Sequence, residues 1–358
     1  MEKVKLTGAE IIWECLIREQ VNVVFGYPGG AILPTYDALG KYSDKVHHVL
    51  TRHEQGATHM ADGYARASGK VGVAMATSGP GAANMVTGLA TAMMDSIPIV
   101  CITGQVPRPA IGSDAFQEMD ISGAVIPVTK HSYLVMEIEN LAKTIKEAFA
   151  IARSGRPGPV LVDIPKDLQA EEFDFVYPEE PILLPGENPV NTEINLKSLK
   201  EAASLIAKSK RPVILAGHGI LLSGASTEVI GLSEKGDIPL SWTLLGSGAV
   251  PASHHLNMGM MGMHGEFAAN NAIQKADLLI ACGMRFDDRV TGNTKTYSLD
   301  SKKIHIEIDP SEINKNVPVD VALVGDLKLV LTKLLPFLEQ HKNSSWTNKI
   351  EDWRKESK

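Results

Sequence analysis

Cysteine, aromatic residues, excess positive charge and long apolar runs are all scarce in this sequence of 358 residues. Its three cysteines, Cys15, Cys101 and Cys282, lie far apart in apolar segments, a pattern typical of buried free thiols in a reducing cytoplasm. A net charge of −7 without a basic run argues against binding to nucleic acid or an anionic membrane. No segment approaches the roughly 20 apolar residues that span a bilayer, and we expect no signal peptide before the first helix.

Length and periodicity predict two α/β domains, each a doubly wound parallel sheet. A chain of 358 residues exceeds one ordinary core. In the first half, apolar segments of strand length alternate with helical patterns, which indicates a parallel sheet covered on both faces. The predicted strands are 21–25, 46–50, 71–76, 97–102 and 159–164, and the predicted helices start at the capping box Thr7-Gly8-Ala9-Glu10 and then occupy 31–39, 81–93 and 139–153.

The second half repeats this alternation. Strands are predicted at 212–216, 238–242, 277–282, 303–308 and 321–324. The segments after four of them are rich in Gly, Arg and acidic residues, and ligands bind beyond the carboxyl ends of strands in open α/β sheets, so a nucleotide-sized ligand is expected. The predicted organisation is a first domain over 1–170, a Glu-, Asp- and Pro-rich linker over 171–195, a second domain over 196–340 and the start of another linker over 341–358.

Glu54 is the strongest candidate for chemistry in the first domain. It follows a predicted strand and opens a helix whose next residues, Gly56, Ala57, Met60 and Ala61, are small or apolar. A solvated glutamate favoured by the helix dipole is the ordinary explanation at such a position. Burial against small apolar residues instead favours the neutral acid, which can donate a hydrogen bond to a heterocyclic nitrogen.

Two glycine-rich turns accompany Glu54. Tyr27-Pro28-Gly29-Gly30 and Ser78-Gly79-Pro80-Gly81 each join a predicted strand to a helix. Glycine supplies unusual backbone angles in such turns, but it also lets a ligand approach the backbone closely. Asn84, one turn later, is suited to fixing a heterocycle. The nearby histidines, His47, His48, His53 and His59, lack the spacing of a zinc site.

Two further segments in the second domain are open to two interpretations. Met258–Gly265 is either a flexible loop or a soft surface that packs a flat ring. Arg285-Phe286-Asp287-Asp288-Arg289 is either an exposed ion-pair run or a strand end whose arginine clasps a diphosphate. We favour the ligand interpretation for the second.

Together these motifs closely resemble the large, catalytic subunit of acetolactate synthase (acetohydroxyacid synthase), a thiamine diphosphate- and FAD-dependent enzyme, over nearly the whole chain. The early motifs are common to thiamine diphosphate enzymes, whereas the Phe116-Gln117 loop and the Arg285 segment are typical of this branch. The segments that carry the resemblance are 25–30, Arg52-His53-Glu54-Gln55, 77–81, 104–107, 114–118, 154–159, 263–265, 285–292 and Ile308-Asp309-Pro310.

The resemblance implies a pyrimidine-binding domain followed by a central, Rossmann-like FAD domain, and it implies roles for individual residues. Glu54 would hydrogen-bond the pyrimidine ring, which Gly29, Pro80 and Asn84 would line. Gly30, Gln117 and Lys130 would lie over the reacting centre, and Pro107, Ala115 and Phe116 would shape the substrate pocket. The residues that would hold FAD are Arg156, Gly217, Gly219, Thr243, Leu244, His264, Gly265, Gly283, Arg285, Asp287, Arg289, Glu307, Ile308 and Asp326.

The implied activity is that of a transferase in isoleucine and valine biosynthesis. It decarboxylates pyruvate and joins the remaining unit to a second 2-oxo acid, giving 2-acetolactate or 2-aceto-2-hydroxybutyrate. The family's Gly-Asp-Gly…Asn motif for Mg²⁺ and the cofactor diphosphate does not occur in these 358 residues. We therefore expect the metal site in a third domain, and no turnover by this polypeptide alone.

The family further implies a homodimer or larger oligomer and a small regulatory subunit. Three alternatives stay open at this point. A pyruvate oxidase-type flavoenzyme would pass electrons to FAD, and a non-catalytic FAD-binding remnant would only bind it. An NAD-dependent dehydrogenase is weakly supported, because Gly217-His218-Gly219 lacks the full glycine fingerprint.

Overall fold

A computed structural model describes residues 4–180, 182 and 194–356 of the chain. The chain divides into two compact units, Met1–Glu187 and Asn188–Lys358. Each unit contains one six-stranded sheet, and the first also contains a two-stranded one. All neighbouring strands in both six-stranded sheets are parallel, which confirms the predicted fold class.

The first unit alternates strands and helices as predicted, with two short antiparallel additions. The pair β1 and β8 forms the two-stranded sheet. Its strands are β1 (Val4–Thr7), β2 (Val23–Gly26), β3 (His47–Leu50), β4 (Gly72–Ala76), β5 (Ile99–Gln105), β6 (His131–Leu134), β7 (Val160–Pro165) and β8 (Glu172–Phe175). Its helices are α1 (Gly8–Arg18), α2 (Leu33–Leu39), α3 (Glu54–Ser68), α4 (Pro80–Ala83), α5 (Val86–Asp95), α6 (Ile121–Ala124), α7 (Ile138–Arg153) and α8 (Lys166–Ala170).

The large sheet of this unit has the order β3-β2-β4-β5-β7-β6. Alternate residues of its central strands enter different cores, as the period of a strand requires. Val73 and Met75 pack with α1 and α7 on one face, whereas Ala74 and Ala76 pack with α3 and α5 on the other. The sheet is therefore covered on both faces, and its strand ends remain for ligands.

The capping box at the start of α1 is confirmed. Thr7 accepts a hydrogen bond from the amide of Glu10, and the Glu10 carboxylate accepts one from the amide of Thr7. Both amides belong to the helix start, where no intrahelical partner exists. The local sequence therefore marks where this helix begins.

The described residues of the second unit form a wound parallel sheet covered by helices. Its strands are β9 (Pro212–Ala216), β10 (Leu240–Trp242), β11 (Asn257–Met260), β12 (Leu278–Cys282), β13 (Lys302–Glu307) and β14 (Val321–Val324). Its helices are α9 (Leu196–Lys208), α10 (Gly219–Leu222), α11 (Ser226–Gly236), α12 (Phe267–Lys275), α13 (Asp288–Thr291), α14 (Leu327–Leu334) and α15 (Ser344–Glu356).

The sheet order is β11-β10-β9-β12-β13-β14, in which the first three strands run outward from β9 and the next three run outward from β12. This is the order of dinucleotide-binding sheets, with its crossover between β9 and β12. One apolar core packs against α9, α11 and α14, and the other against α12 and α15. The carboxyl ends of all six strands meet at one edge.

The structure differs from the expected linkers. Within 171–195, residues 172–175 form β8, which pairs with β1, and residues 181 and 183–193 lie outside the described part. Within 341–358, residues 344–356 form α15. The side chains of Trp346 and Ile350 are buried, and the Trp346 indole nitrogen donates to the carbonyl of Pro212 over 3.1 Å. An apolar helical face hidden among polar residues explains the difference.

Two edge strands had no prediction. Strand β6 lies beside β7, and strand β11 includes residues 258–260 of the segment for which a loop was one interpretation. A short edge strand with one exposed side carries too few apolar residues to show a clear period. Helix 81–93 is also divided in two, as α4 and α5.

The three cysteines are buried free thiols, as predicted. Burial raises the pKa of all three, that of Cys282 to about 12, so they are inert as nucleophiles. Among the described residues, no helix combines the length and apolarity needed to cross a membrane.

Candidate functional site

Three glycine- or carboxylate-bearing segments converge at the crossover of the first sheet. Strand β2 lies between β3 and β4, and the chain leaves β2 toward β3 and returns on the other side as β4. Ligands of wound α/β sheets bind at such a crossover, beyond the carboxyl ends. The segments there are Gly29–Gly30 after β2, Arg52–Glu54 after β3 and Thr77–Gly81 after β4.

Glu54 is buried at this crossover. It is the first residue of α3, whose preceding His53 caps the helix by accepting from the amide of Gln55 over 3.1 Å. The Glu54 side chain is 7% exposed, and its Oε2 accepts a hydrogen bond of 2.9 Å from Nδ2 of Asn84. Within the described residues no hydrogen bond reaches Oε1, which lies 3.3 Å from the position of a Cβ on Gly81. One oxygen of this buried carboxylate, Oε1, thus lies next to Gly81 in the turn after β4.

Thr77 organises the two glycine turns, a role that the sequence motifs alone did not reveal. Its Oγ1 accepts from the amide of Ala31 over 3.1 Å. A Cβ on Gly29 would lie 2.6 Å from Thr77 Cγ2, and one on Gly81 would lie 2.7 Å from it. A Cβ on Gly30 would meet nothing within 4 Å. Gly29 and Gly81 are therefore required by packing, whereas the space beside Gly30 is open to a ligand.

The segment 112–119 reaches the same turns. Gly79 has φ +54°, and a Cβ there would lie 2.5 Å from the carbonyl oxygen of Gln117. Gln117 itself has φ +59°. Glu118 accepts from the amides of Gly112 and Ala115, and these hydrogen bonds lower the pKa of Glu118. The Glu118 carboxylate thus holds the two ends of this loop together, and the backbone of Gln117 packs against Gly79.

The predicted pocket residues lie on or before this loop. Pro107 follows β5 and is exposed, and Ala115 is half-buried. Phe116 is 88% exposed. An aromatic ring this exposed meets no pocket wall within its own unit.

A buried polar cluster lies under the same loop and was missed in the sequence. Asp163 on β7 is 1% exposed and accepts from Thr103 Oγ1 over 2.6 Å and from Gln105 Nε2 over 2.8 Å. Gln105 Nε2 also donates to the carbonyl of Met119 over 2.8 Å. The sequence does contain a signal for this cluster, since Asp163 is the one acid in an otherwise apolar strand. An acid is almost never fully buried without partners, so its position indicates that polar side chains lie beside it.

Burial raises the pKa of Asp163 to about 7, although the hydrogen bonds from Thr103 and Gln105 favour the ionised form. Tyr36 shows a related effect beside the site. Its pKa is raised by burial and then by the charge of Glu54, and its hydroxyl lies 3.2 Å from Nε2 of His48. The charge of Glu54 therefore affects the titration of a neighbouring buried side chain, Tyr36.

Two predicted residues lie at the opposite edge of the first sheet. Lys130 immediately precedes β6, and its ammonium donates to the carbonyls of Ile151 and Ser154 at the end of α7. Arg156 precedes β7 and donates from Nε to Ser96 Oγ over 2.8 Å. Because the strands are parallel, both residues lie at the amino edge, so this unit does not bring them to Glu54. The roles predicted for them stay predictions.

In the second unit, glycines meet at the crossover between β9 and β12. A Cβ on Gly217 would lie 2.2 Å from the carbonyl oxygen of Gly283, and one on Gly219 would lie 2.7 Å from its Cα. The Gly219 amide donates to the Gly283 carbonyl over 2.9 Å. No side chain fits between these strand ends, which leaves bare backbone facing the edge where dinucleotides bind.

Other predicted residues border this backbone. Thr243 follows β10 and caps the turn that carries Leu244, whose side chain is 74% exposed. The segment after β11, which holds His264 and Gly265, reaches the segment after β12, because the Met263 amide donates to the Arg289 carbonyl over 2.8 Å. The edge is therefore lined from β10 across to β12.

Three predicted acids also have structural duties. Asp287 accepts from the amides of Arg289 and Val290, and Asp326 accepts from the amide of Leu329, so both cap helices. Glu307 Oε1 accepts from the amide of Ile308 over 2.9 Å. Arg285, in the segment after β12, is half-buried. Below it, His305 contacts the Met284 carbonyl through Nε2 over 2.9 Å, and burial lowers the pKa of His305.

Comparison with known proteins matches both units to one family. Residues 6–124 match the thiamine pyrophosphate enzyme N-terminal TPP binding domain, and residues 199–334 match the thiamine pyrophosphate enzyme central domain. The chain belongs to the thiamine pyrophosphate enzymes and carries these two domains.

Three similar relatives carry the name acetolactate synthase. This chain is 50% identical to the probable acetolactate synthase large subunit of Methanocaldococcus jannaschii, 51% to the acetolactate synthase of Mycobacterium bovis and 49% to the acetolactate synthase large subunit of Corynebacterium glutamicum. Each match covers 98% of this chain but only 60%, 56% and 55% of the respective relative. The chain thus spans somewhat more than half the length of the curated relatives it matches.

Proposed function

We propose that this chain is part of an acetolactate synthase large subunit, and that its first unit binds the aminopyrimidine end of thiamine diphosphate. One observation carries the proposal: the buried carboxylate of Glu54 lies at the crossover of the first sheet with Oε1 facing glycine. The proposal is also supported by relatives that share 49–51% sequence identity with this chain and are named acetolactate synthase.

The residues present fit this group. An aminopyrimidine ring offers nitrogen atoms at its edge and a flat face. Glu54 would hold a proton between Oε1 and a ring nitrogen, and Asn84 would keep the carboxyl in place through Oε2. Pro80, Gly29 and Gly30 would border the ring, with Gln117 above them.

When bound, thiamine diphosphate supplies the means to stabilise the negative charge left after a 2-oxo acid loses carbon dioxide. The protein's contribution is orientation and exclusion of water. Glu54 sits where water is scarce, so its hydrogen bond to a ring nitrogen would be stronger than one in solution. The proposed substrates are pyruvate as donor and a second 2-oxo acid as acceptor.

For the second unit we propose FAD as the ligand. Its support is the dinucleotide-type strand order and the bare backbone at Gly217, Gly219 and Gly283. The diphosphate would lie over these glycines within reach of Arg285, whose planar guanidinium suits a bidentate contact. Thr243, Leu244, His264, Gly265, Asp287, Arg289, Glu307, Ile308 and Asp326 would line the remainder.

Further parts of the proposal follow from the family. Mg²⁺ and the cofactor diphosphate are expected on residues outside the present sequence, and Lys130, Arg156 and Phe116 keep their predicted roles. We also propose oligomerisation, a small regulatory subunit and a cytoplasmic location. The name "large subunit" borne by relatives supports the second of these.

Calorimetric titration of the chain with thiamine diphosphate tests the first site. Glu54→Gln keeps the size of the side chain and the hydrogen bond to Asn84 but cannot act as the same acid, so we expect at least a tenfold weaker affinity, about 1.4 kcal/mol. Glu139→Gln is the matched control, because Glu139 is exposed on α7. Equal affinity in Glu54→Gln and the wild type would refute the role of Glu54.

Quenching of flavin fluorescence tests the second site. Arg285→Gln removes the charge proposed for the diphosphate, and its effect should shrink as salt increases. Arg211→Gln serves as control, because Arg211 lies before β9 at the amino edge of the same sheet. Flavin binding that is insensitive to Arg285→Gln would count against a diphosphate contact there.

A further inference from the structure

The buried cluster of Thr103, Gln105 and Asp163 has no part in the proposed chemistry, yet it touches the loop that does. It lies below segment 112–119, and its outermost contact is the hydrogen bond from Gln105 Nε2 to the Met119 carbonyl. Two residues earlier, Gln117 packs its backbone against Gly79. The cluster and the glycine turn are thus joined through one short piece of chain.

Gln105 makes three hydrogen bonds that fix its orientation. Oε1 accepts from the amide of Val106 over 2.9 Å, and Nε2 donates both to Asp163 Oδ2 and to the Met119 carbonyl, each over 2.8 Å. A side-chain amide with both ends engaged cannot rotate without breaking all of them. One of these three hydrogen bonds therefore depends on the charge of Asp163, and the same Nε2 holds Met119.

Asp163 is held by its neighbours on both sides. Thr103 on β5 and Leu134 on β6 are its strand partners, and Thr103 Oγ1 donates to Oδ1 over 2.6 Å. On β7 it lies on the same face as Leu161, which packs with Ile121 and Val125 at α6, whereas α7 and α8 pack on the other face. Asp120, at the start of α6, is the charged group that acts on its titration, and it opposes ionisation.

We propose that Asp163 is a positioning residue, which through Gln105 holds the segment 112–119, and with it Gln117, in place at the carboxyl edge of the sheet. Ionised Asp163 accepts from both Thr103 and Gln105. A protonated Asp163 donates from Oδ1 to the hydroxyl of Thr103, which can accept, so Gln105 Nε2 then donates to a neutral oxygen and its hydrogen bond is weaker than one to a carboxylate. The loop is therefore held firmly above the pKa of Asp163 and loosely below it. The link from Gln117 to a ligand rests on the proposed function, whereas the link from Asp163 to the loop does not.

Hydrogen exchange of the chain without added cofactor tests this link. Asp163→Asn imitates the neutral acid, and Glu139→Gln is the exposed control. In the wild type, the protection of the Gly112–Met119 amides should rise roughly threefold from about pH 6 to about pH 8, and in Asp163→Asn it should stay at the lower value. Glu118 stays ionised throughout, because the amides it accepts from lower its pKa.

Thr103→Val supplies a second variant that leaves Asp163 in place. Without the hydroxyl, the ionised form loses a donor, so the pH at which protection changes should move upward. Protection that does not vary with pH in the wild type, or a midpoint that ignores Thr103→Val, would overturn the proposal. Because neither result involves thiamine diphosphate, failure here is separate from failure of the calorimetric titration.

Discussion

Asn84 and Glu54, 30 positions apart in the sequence, share a hydrogen bond of 2.9 Å between Nδ2 and Oε2. The bond ties the end of α4 to the start of α3 and occupies one oxygen of the carboxylate. It also fixes which oxygen of Glu54 faces the glycine turns. The geometry of the proposed site thus depends on an amide that does not itself carry out chemistry.

Replacement of Asn84 by Ala should leave the buried Glu54 without its partner. We expect the unfolding free energy to fall by about 1–3 kcal/mol, the cost of an unsatisfied buried group. Affinity for thiamine diphosphate should fall as well, because the carboxyl can rotate. Urea denaturation and calorimetry measure the two effects, and Asn140→Ala on the exposed side of α7 is the control. Unchanged stability would show that Asn84 does not stabilise Glu54.

Substitution by alanine should have different effects at the adjacent residues Gly29 and Gly30. Gly29→Ala places a Cβ 2.6 Å from Thr77 Cγ2, so we expect a loss of stability of about 1–3 kcal/mol. Gly30→Ala meets nothing within 4 Å, so it should fold normally and weaken only ligand binding. Thermal unfolding and calorimetry on both variants provide the comparison. Full ligand affinity in Gly30→Ala would indicate that the open space beside Gly30 is not used.

In the second unit, Gly217→Ala should damage both the fold and flavin binding. The new Cβ would lie 2.2 Å from the Gly283 carbonyl oxygen, and rigid backbone cannot yield as a side chain would. Gly231→Ala is a matched control, since its Cβ would lie 3.7 Å from Leu335 in ordinary contact and alanine favours the α11 helix. We expect the control to gain up to about 1 kcal/mol. Equal stability of the two variants would contradict the close approach of β9 and β12.

The stability of the chain should depend on Asp163 in the acidic range. Because the folded-state pKa of about 7 exceeds the ordinary value of 3.8, the folded chain retains a proton that the unfolded chain loses. The resulting contribution is complete below the ordinary value and is lost as pH rises toward about 7. Across this pH window the wild type should lose up to roughly 4 kcal/mol of unfolding free energy, and Asp163→Asn should not. Urea denaturation at a series of pH values should therefore give a flatter dependence of unfolding free energy on pH for the variant. Parallel curves for wild type and variant would argue against the raised pKa.

The sequence was sufficient for those parts of the fold that depend on local pattern. The capping box of α1 and the buried strands β4 and β12 follow from residue order and apolar period alone. Strands β6 and β11 could not be found in this way, because an edge strand is defined by a neighbour that lies far along the chain. Helix α15 was hidden because Trp346, Ile350 and Trp353 are separated by polar residues that mask their helical spacing.

The same limit applies to the site. Glu54 and the glycine turns could be selected as candidates, because each follows a predicted strand and lies next to small or apolar residues. The meeting of Thr77 with Gly29 and Gly81 could not, since it requires knowing that β2 and β4 are adjacent. The edge on which Lys130 lies likewise depends on strand direction, which no local pattern gives.

Within the described residues, the apolar cores contain none of the side chains proposed to contact ligands. Strands and helix faces provide stability, and the segments after the strands provide recognition. Evolution can therefore retune specificity in this architecture by exchanging loop residues while the scaffold stays unaltered. The exceptions are glycines whose Cβ would collide with neighbouring atoms, so that a substitution intended to alter recognition would also strain the framework: Gly29, Gly217, Gly219, Gly265 and Gly283.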